Sequence, residues 1–196
     1  MKTPHLKPGP PPPARWRKEI ESVLVNSERL ACRVRQLSRA IQRDFAGKDL
    51  AVVSVLNGTV FFLPDLIRHV SLPLRLDFIG ISSYGSSAQS GNLVMTKDLR
   101  LDIRGRDVLV VDDILDTGRT LSRILERLRG SGALTVKTCV LLNKPERRTV
   151  NVQADYVGFT IPDCFVVGYG LDYAECFRNL PCIGVLRKEV YAGHFQ

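Results

Sequence analysis

Val108-Leu-Val-Val-Asp-Asp-Ile-Leu-Asp-Thr-Gly-Arg-Thr120 is the stretch whose reading settles the fold. Val108 to Val111 is a short apolar run suited to a buried strand, and two adjacent carboxylates, Asp112 and Asp113, follow at its carboxyl end. Asp116 comes next, just before the small turn Thr117-Gly118-Arg119-Thr120. Beyond the turn Leu121, Ile124, Leu125 and Leu128 recur at helical spacing, which predicts a helix from Thr120 to Arg129. Acids at a strand end, with a hydroxyl-rich turn opening a helix behind them, occupy the place where open α/β sheets hold ligands. The free N–H groups and dipole of that helix favour a phosphate, each contact contributing roughly 0.3–1 kcal/mol. The paired carboxylates suit either a metal ion or the cis hydroxyls of a ribose, since both bind carboxylate oxygens. A sugar carrying a 5-phosphate, its diol over the acids, accounts for the whole segment.

Two other readings compete. Asp and Thr often cap helices, but a cap needs one such residue, not three acids with two threonines. A nucleotide P-loop fails on spacing: the chain has no G-x-x-x-x-G-K-[ST]. One G-x-G, Gly130-Ser131-Gly132, lies after the helix and reads as the helix stop.

Outward from this segment, strands and helices alternate. Ile20 to Val25 is a short strand, and a helix follows from about Glu28 to Phe45 with Leu30, Val34, Leu37 and Ile41 on one face. Ala51 to Leu56 reads as a buried parallel strand, and a helix through Phe62, Leu66 and Ile67 comes after Asn57-Gly58-Thr59. Further strands are expected at Leu74 to Ser82, Leu93 to Leu99, Val136 to Leu142, Tyr156 to Phe159 and Val166 to Tyr169. Tyr84 to Asn92, rich in Ser and Gly, has no period and reads as a mobile loop. This order argues an α/β fold with a central parallel sheet and right-handed crossovers. Residues 1–18, with Pro8-Gly-Pro-Pro-Pro-Pro13, read as a disordered basic tail, and 19–196 as one domain.

Composition narrows the class. At 196 residues the chain can bury a real core, and no apolar run approaches the roughly 20 residues of a membrane span. Positive charge at the N-terminus is not followed by an apolar run, so no secretory signal is read. Cys32, Cys139, Cys164, Cys176 and Cys182 form no C-x-x-C pair; they read as free thiols in a reducing cytoplasm. The net charge of +8 would serve either a nucleic acid or the steering of a substrate with several phosphates. Much of it lies on the tail and first helix, at Arg15, Arg17, Lys18, Arg29, Arg33, Arg35, Arg39 and Arg43, with Trp16 the one interleaved aromatic, too few to stack successive bases. A solvated basic face is the preferred reading, and charge does not choose the function.

The Val108–Thr120 segment resembles the phosphoribosyl-diphosphate-binding motif of the type I phosphoribosyltransferases. Three further segments narrow the resemblance to the hypoxanthine-guanine phosphoribosyltransferases: Leu141-Leu142-Asn143-Lys144; Ile161 to Tyr173 with Phe177-Arg178-Asn179-Leu180-Pro181; and Asp77-Phe78-Ile79 leading to Ser82-Ser83-Tyr84-Gly85. With Val55-Leu56-Asn57-Gly58, the similarity runs from about Ile20 to Tyr191. The resemblance implies the type I fold with a small hood from the terminal segments, a homodimer or homotetramer, and no membrane or nucleic-acid partner. It implies purine salvage: ribose 5-phosphate moves from phosphoribosyl diphosphate to N9 of hypoxanthine or guanine, giving IMP or GMP and pyrophosphate, with Mg2+.

Residue by residue, the resemblance implies that Asp112 and Asp113 hold the ribose hydroxyls, directly or through metal, and that Asp116 takes or stabilises the proton of purine N7. Asp116, Thr117, Gly118, Arg119 and Thr120 would bind the 5-phosphate; Leu56, Asn57, Gly58 and Arg178 the pyrophosphate; Asp172 a metal beside the purine. Lys144 offers a cation to the 6-oxo group, Phe165 covers the purine, and backbone near Val166 reads its edge. Ser83 and Tyr84 belong to the loop expected to close over the substrate and exclude water. By chemistry alone Lys144 argues against adenine, whose 6-amino group donates where lysine also donates, while xanthine stays open.

Three departures from the family pattern are present: Asn57 stands where lysine is common, Asp112-Asp113 where glutamate precedes aspartate, and Cys164 where a charged residue is common. Asn57 removes a charge that would favour diphosphate. A rival from another class is an RNA-binding regulator using the basic first helix; salt-sensitive RNA binding discriminates it.

Overall fold

The computed structural model describes residues 11–83 and 93–192. They form two compact units, one from 11–33 with 164–192 and one from 34–163.

The larger unit holds a six-stranded sheet. Its strands are β2 (Leu50–Leu56), β3 (Leu74–Ser83), β4 (Leu93–Lys97), β5 (Asp107–Leu115), β6 (Thr135–Asn143) and β7 (Tyr156–Thr160), where β1 is the strand Ile20–Val25 of the smaller unit. Their order is β4-β3-β2-β5-β6-β7, with all pairs parallel except β3 with β4. The expected parallel sheet is therefore present, with one antiparallel strand at its edge. β2 and β5 are central, and Ala51, Val53, Val108 and Val110 are fully buried on them, as runs apolar on both faces require. Val108 pairs with Ala51 on one side and Val136 on the other, so β5 is the strand on which the sheet is built.

Helix α1 (Ser27–Asp44) buries Leu30, Val34, Leu37 and Ile41, and Asn26 Oδ1 caps it by accepting the Arg29 N–H at 2.9 Å. Helix α2 (Phe62–Ile67) is short, and α3 (Arg119–Gly130) buries Leu121, Ile124, Leu125 and Leu128, the four residues that gave it away in the sequence. Helix α3 closes one core of the larger unit together with strands β2, β5 and β6. No described helix is long and apolar enough to cross a membrane.

Asp77 ties β3 to the segment after β4. Its carboxylate accepts the Phe78 N–H at 2.7 Å, the Lys97 ammonium at 2.9 Å, and the Arg100 and Leu101 N–H groups at 2.6 and 2.9 Å. Burial by itself would raise its pKa; the Leu101 N–H, Lys97 and the other two amides more than offset that and hold it well below the carboxylate range. A depressed folded value gives stability that is full above the unfolded pKa of about 4 and is lost as pH falls below it. Asp77→Ala strands three amides and leaves Lys97 with the Phe78 and Asp98 carbonyls, and denaturant unfolding at neutral pH is expected to show a loss of about 3 kcal/mol. A loss under about 0.5 kcal/mol, the scale of an ordinary surface change, removes that role.

The smaller unit is built from both terminal segments. β1 pairs antiparallel with β9 (Ile183–Leu186), which pairs antiparallel with β8 (Val166–Val167). Helix α4 (Lys188–Tyr191) follows β9. The sequence did not disclose β9, because four residues with a glycine inside carry no readable period; its partners define it. Val166 to Tyr169, expected as a strand, is shortened to two residues, since Gly168 takes a left-handed φ of 101° and turns the chain. The segment read as a tail carries structure at its end: Ala14–Trp16 forms a single 3-10 turn, and Trp16 lies 5.3 Å from Phe177 beside the core of Ile20, Val23, Val167, Leu180, Cys182 and Leu186. An indole buries too much apolar area to stay in solvent.

Candidate active site

The acids lie further inside the strand than the sequence suggested. β5 continues through Leu115, so Asp112 and Asp113 are strand residues and Asp116 alone starts the loop. Successive strand side chains set out toward opposite faces, yet the two carboxyls stay close enough to interact. Asp112 is 6 % exposed, and its Oδ1 accepts the Asp113 N–H at 3.0 Å. Burial, and next the charge of Asp113, push its carboxyl well above the ordinary carboxylate range. Asp113 is the more open member of the pair.

Asp113 meets the loop after β2. A Cβ built on Gly58 would stand 1.6 Å from Asp113 Oδ2, so only glycine lets the carboxylate lie against this backbone. The Leu56–Asn57 peptide is cis, and Asn57 is exposed. The loop is pinned from beneath: the buried Ser54 hydroxyl donates to Thr59 Oγ1 at 2.8 Å, and the Thr59 hydroxyl donates to the Val55 carbonyl at 2.6 Å. Leu56, Asn57 and Gly58 are thereby brought beside Asp113. Gly58→Ala must displace that carboxylate; kcat/KM is expected to fall about tenfold, since reacting groups misplaced by an ångström lose rate steeply. An unchanged kcat/KM in a steady-state assay removes the contact from the site.

Asp116 to Thr120 forms the turn into α3. Gly118 has a φ of 88°, and a Cβ there would stand 2.6 Å from Val152 Cγ1. Gly118 at the N-cap supplies no side-chain cap, and Thr117 Oγ1 accepts the Arg119 N–H only at a long 3.4 Å, so the opening amides of α3 suit an anion better than a simple cap. The turn is buttressed by a segment the sequence did not mark. Arg148 donates to the carbonyls of Asp116 at 3.1 Å, Leu115 at 3.3 Å and Val152 at 2.8 Å, and to Asn143 Oδ1 at 2.6 Å. The Thr149 and Val150 N–H groups donate to the Thr117 carbonyl at 3.0 and 3.2 Å. A signal existed in Arg147-Arg148 just after Lys144, but sequence gives no way to know that those side chains turn back onto β5.

The parallel register pairs Leu115 with Asn143, so Asp116 and Lys144, one residue further on each strand, leave the sheet side by side. The Lys144 N–H donates to the Leu115 carbonyl at 3.0 Å. Lys144 is 7 % exposed, and its Nζ stands 3.9 Å from Asp163 Oδ1. Arg147 places Nε 3.0 Å from Asp116 Oδ1 and Nη1 3.6 Å from Asp163 Oδ1. The larger unit therefore gathers Asp113, the Leu56–Gly58 loop, Asp116 to Thr120 and Lys144 at the carboxyl edge of β2, β5 and β6, the usual ligand edge of such sheets.

In the smaller unit Phe165 stacks on Tyr191, with centroids 4.9 Å apart and planes at 23°, and meets Tyr173 edge-on at 5.5 Å. Val166 is in β8, paired with Val185. Asp172 and Arg178 are brought together: Arg178 Nη1 lies 3.0 Å from Asp172 Oδ1 and donates to the Gly170 carbonyl at 2.8 Å. Four non-glycine residues with left-handed φ, Tyr169, Ala174, Glu175 and Phe177, wind this loop tightly. Ser83 ends β3, and Tyr84 with the rest of the expected mobile loop lies outside the described residues.

Among the described residues no three or more His, Cys, Asp or Glu side chains converge to enclose a metal. A magnesium ion needs no such cage when it arrives on phosphates, since one or two carboxylates and water complete its shell. Asp113 fits that need by its exposure, and Asp172 offers a second half-buried carboxylate already paired with Arg178.

Residues 22–174 match the family model described as phosphoribosyl transferase domain. The chain is 44 % identical over 175 residues to the hypoxanthine-guanine phosphoribosyltransferase of Streptococcus pneumoniae, covering 89 % of this chain and 97 % of that one. The enzyme of the same description from Bacillus subtilis is 44 % identical over 174 residues, covering 88 % and 97 %. Another relative, the bifunctional protein TilS/HprT of Listeria monocytogenes, is 45 % identical over 175 residues, and the chain spans only 27 % of its length. A crystal structure of a hypoxanthine phosphoribosyltransferase from Staphylococcus aureus superimposes with a TM-score of 0.86 at 39 % identity, covering 91 % of this chain and 97 % of that one.

Proposed function

The chain belongs to the phosphoribosyl transferase family, and from that premise we propose that it transfers ribose 5-phosphate from phosphoribosyl diphosphate to N9 of hypoxanthine or guanine, releasing pyrophosphate. One observation carries the reading: the register of β5 with β6 sets Asp116, Lys144 and the Thr117–Thr120 anion turn side by side. A cation for a 6-oxo oxygen, a carboxylate for a purine proton and a cradle for a 5-phosphate are the three recognitions that this transfer needs at one sheet edge.

The 5-phosphate sits on N–H groups of the turn, with the Thr117 and Thr120 hydroxyls and Arg119 around it. Asp113 faces the ribose hydroxyls. Asp112, being buried, acts on them only through Asp113 or a water. Lys144 donates to the purine 6-oxo group, and Asp116 receives or stabilises the proton at N7 as the bond to N9 forms. As the anomeric carbon loses the diphosphate it becomes cation-like, and the carboxylates at this edge favour that charge. Leu56, Asn57 and Gly58 offer their backbone to the leaving pyrophosphate. In the smaller unit Phe165 is assigned to the purine face, Val166 to its edge, Asp172 to a metal and Arg178 to pyrophosphate, whose oxygens suit a planar fork. Asp113 in the larger unit and Asp172 in the smaller are each assigned to Mg2+, which would supply charge neutralisation on the leaving group. Ser83 and Tyr84 are assigned to closure over the site. We place the enzyme in the cytoplasm, where Cys32, Cys139, Cys164, Cys176 and Cys182 stay outside any disulfide, as they are here, and as a homodimer or homotetramer.

The test is direct. Purified protein is mixed with phosphoribosyl diphosphate, Mg2+ and, in turn, hypoxanthine, guanine, xanthine and adenine, and nucleotide formation is followed. Turnover with the first two and none with adenine is the expected result. Silence with all four from folded protein overturns the reading.

A further inference from the structure

Arg147 stands against the proton-handling carboxylate, yet none of the steps above uses it. It closes the 3-10 turn Pro145–Arg147 that follows Lys144. Through the distances of 3.0, 3.6 and 3.9 Å already given, four alternating charges run in contact: Asp116, Arg147, Asp163 and Lys144. The line joins the group assigned to N7 with the group assigned to the 6-oxo oxygen.

Asp116 Oδ1 is shut off from water and, among the described residues, accepts no hydrogen bond; the Arg147 contact lacks the alignment for one. With no hydrogen bond to set its direction, this oxygen is held by charge, from Arg147 in contact and from Arg148 without contact, so removing the contacting guanidinium lets the carboxylate turn. Arg148 has the complementary task. Its bonds go to main-chain carbonyls and Asn143, so the path of the loop survives without Arg147. One arginine fixes where the turn runs and the other fixes where its carboxylate points.

We propose that Arg147 is a positioning residue for Asp116, and that Asp163 couples that position to Lys144. The inference rests on the transferase reading above. Arg147 touches no reacting atom; it orients the carboxylate that meets the purine, and occupancy of Lys144 by the 6-oxo group is transmitted through Asp163.

A double-mutant cycle tests this. Turnover with hypoxanthine, phosphoribosyl diphosphate and Mg2+ is compared in the unmodified protein, Arg147→Gln, Asp116→Asn and the double variant. Arg147→Gln is expected to lower kcat about tenfold with little change in the KM for diphosphate, and Arg147→Lys to recover most of the loss. In the Asp116→Asn background the same glutamine substitution is expected to cost less than about twofold, because residues acting as a unit are not additive. Arg104→Gln, which breaks the exposed pair with Asp102, serves as a control that leaves kcat unchanged. Equal losses from Arg147→Gln in both backgrounds, or no recovery with lysine, overturn the inference while the transferase reading stands. An unmodified protein without turnover overturns both.

Discussion

Asp116→Asn leaves a folded chain and lowers turnover by about 100- to 10,000-fold, the range lost when a general base is removed. Asparagine keeps the shape and the hydrogen-bonding reach of the side chain but cannot take a proton at neutral pH. Stability should change little. The partner left behind, Arg147, has a side chain 48 % exposed, so water solvates the abandoned charge. Diphosphate binding should also persist, because the proposed reading rests the 5-phosphate on the backbone of Thr117 to Thr120, and the Asp116 carbonyl stays bonded to Arg148. The measurement is kcat and the KM for diphosphate with hypoxanthine, alongside a thermal melt. A variant that melts normally and turns over at the original rate takes the proton role away from Asp116.

Lys144→Met removes the cation and keeps the volume, and kcat/KM for hypoxanthine is expected to fall about 100-fold, in line with the loss of a charge-assisted hydrogen bond in a site shielded from water. Lys144 is buried while its ion-pair partner Asp163 is 46 % exposed, so the substitution leaves no stranded interior carboxylate and the fold should hold. The loss should fall on the purine side: diphosphate KM is expected to stay within about twofold, as no phosphate contact involves Lys144 in this reading. Competition assays with hypoxanthine and adenine check the same point from the other direction. The preference for the 6-oxo base should shrink, and a preference that is retained in full would show that another group reads position 6.

The two substitutions act on neighbours in space that are distant in sequence, and this marks the limit of what local reading can provide. β2, β5 and β6 were legible because strands covered on both faces must be continuous apolar runs, and α3 because its buried stripe recurs at helical spacing. The anion turn was legible for the same reason: Thr117 to Thr120 and the strand before it form one local motif. β9 was not, being four residues long and defined only by β1 and β8 beside it. The end of β5 was misplaced by a few residues, since carboxylates are poor strand formers and read as loop, while the ladder to β6 carries the strand on to Leu115.

By itself the sequence determined the α/β alternation, the turn that opens α3 and the resemblance to the family, because each is written in residues a few positions apart. Tertiary structure alone decided that Asp113 is open while Asp112 is buried and held toward its neutral form, that Gly58 lies against Asp113, and that Arg147 and Asp163 link Asp116 to Lys144. Those outcomes follow from strand register and local burial, which are set by segments far apart in the chain. A carboxylate's charge and reach depend on what packs around it, and no run of neighbouring residues records that.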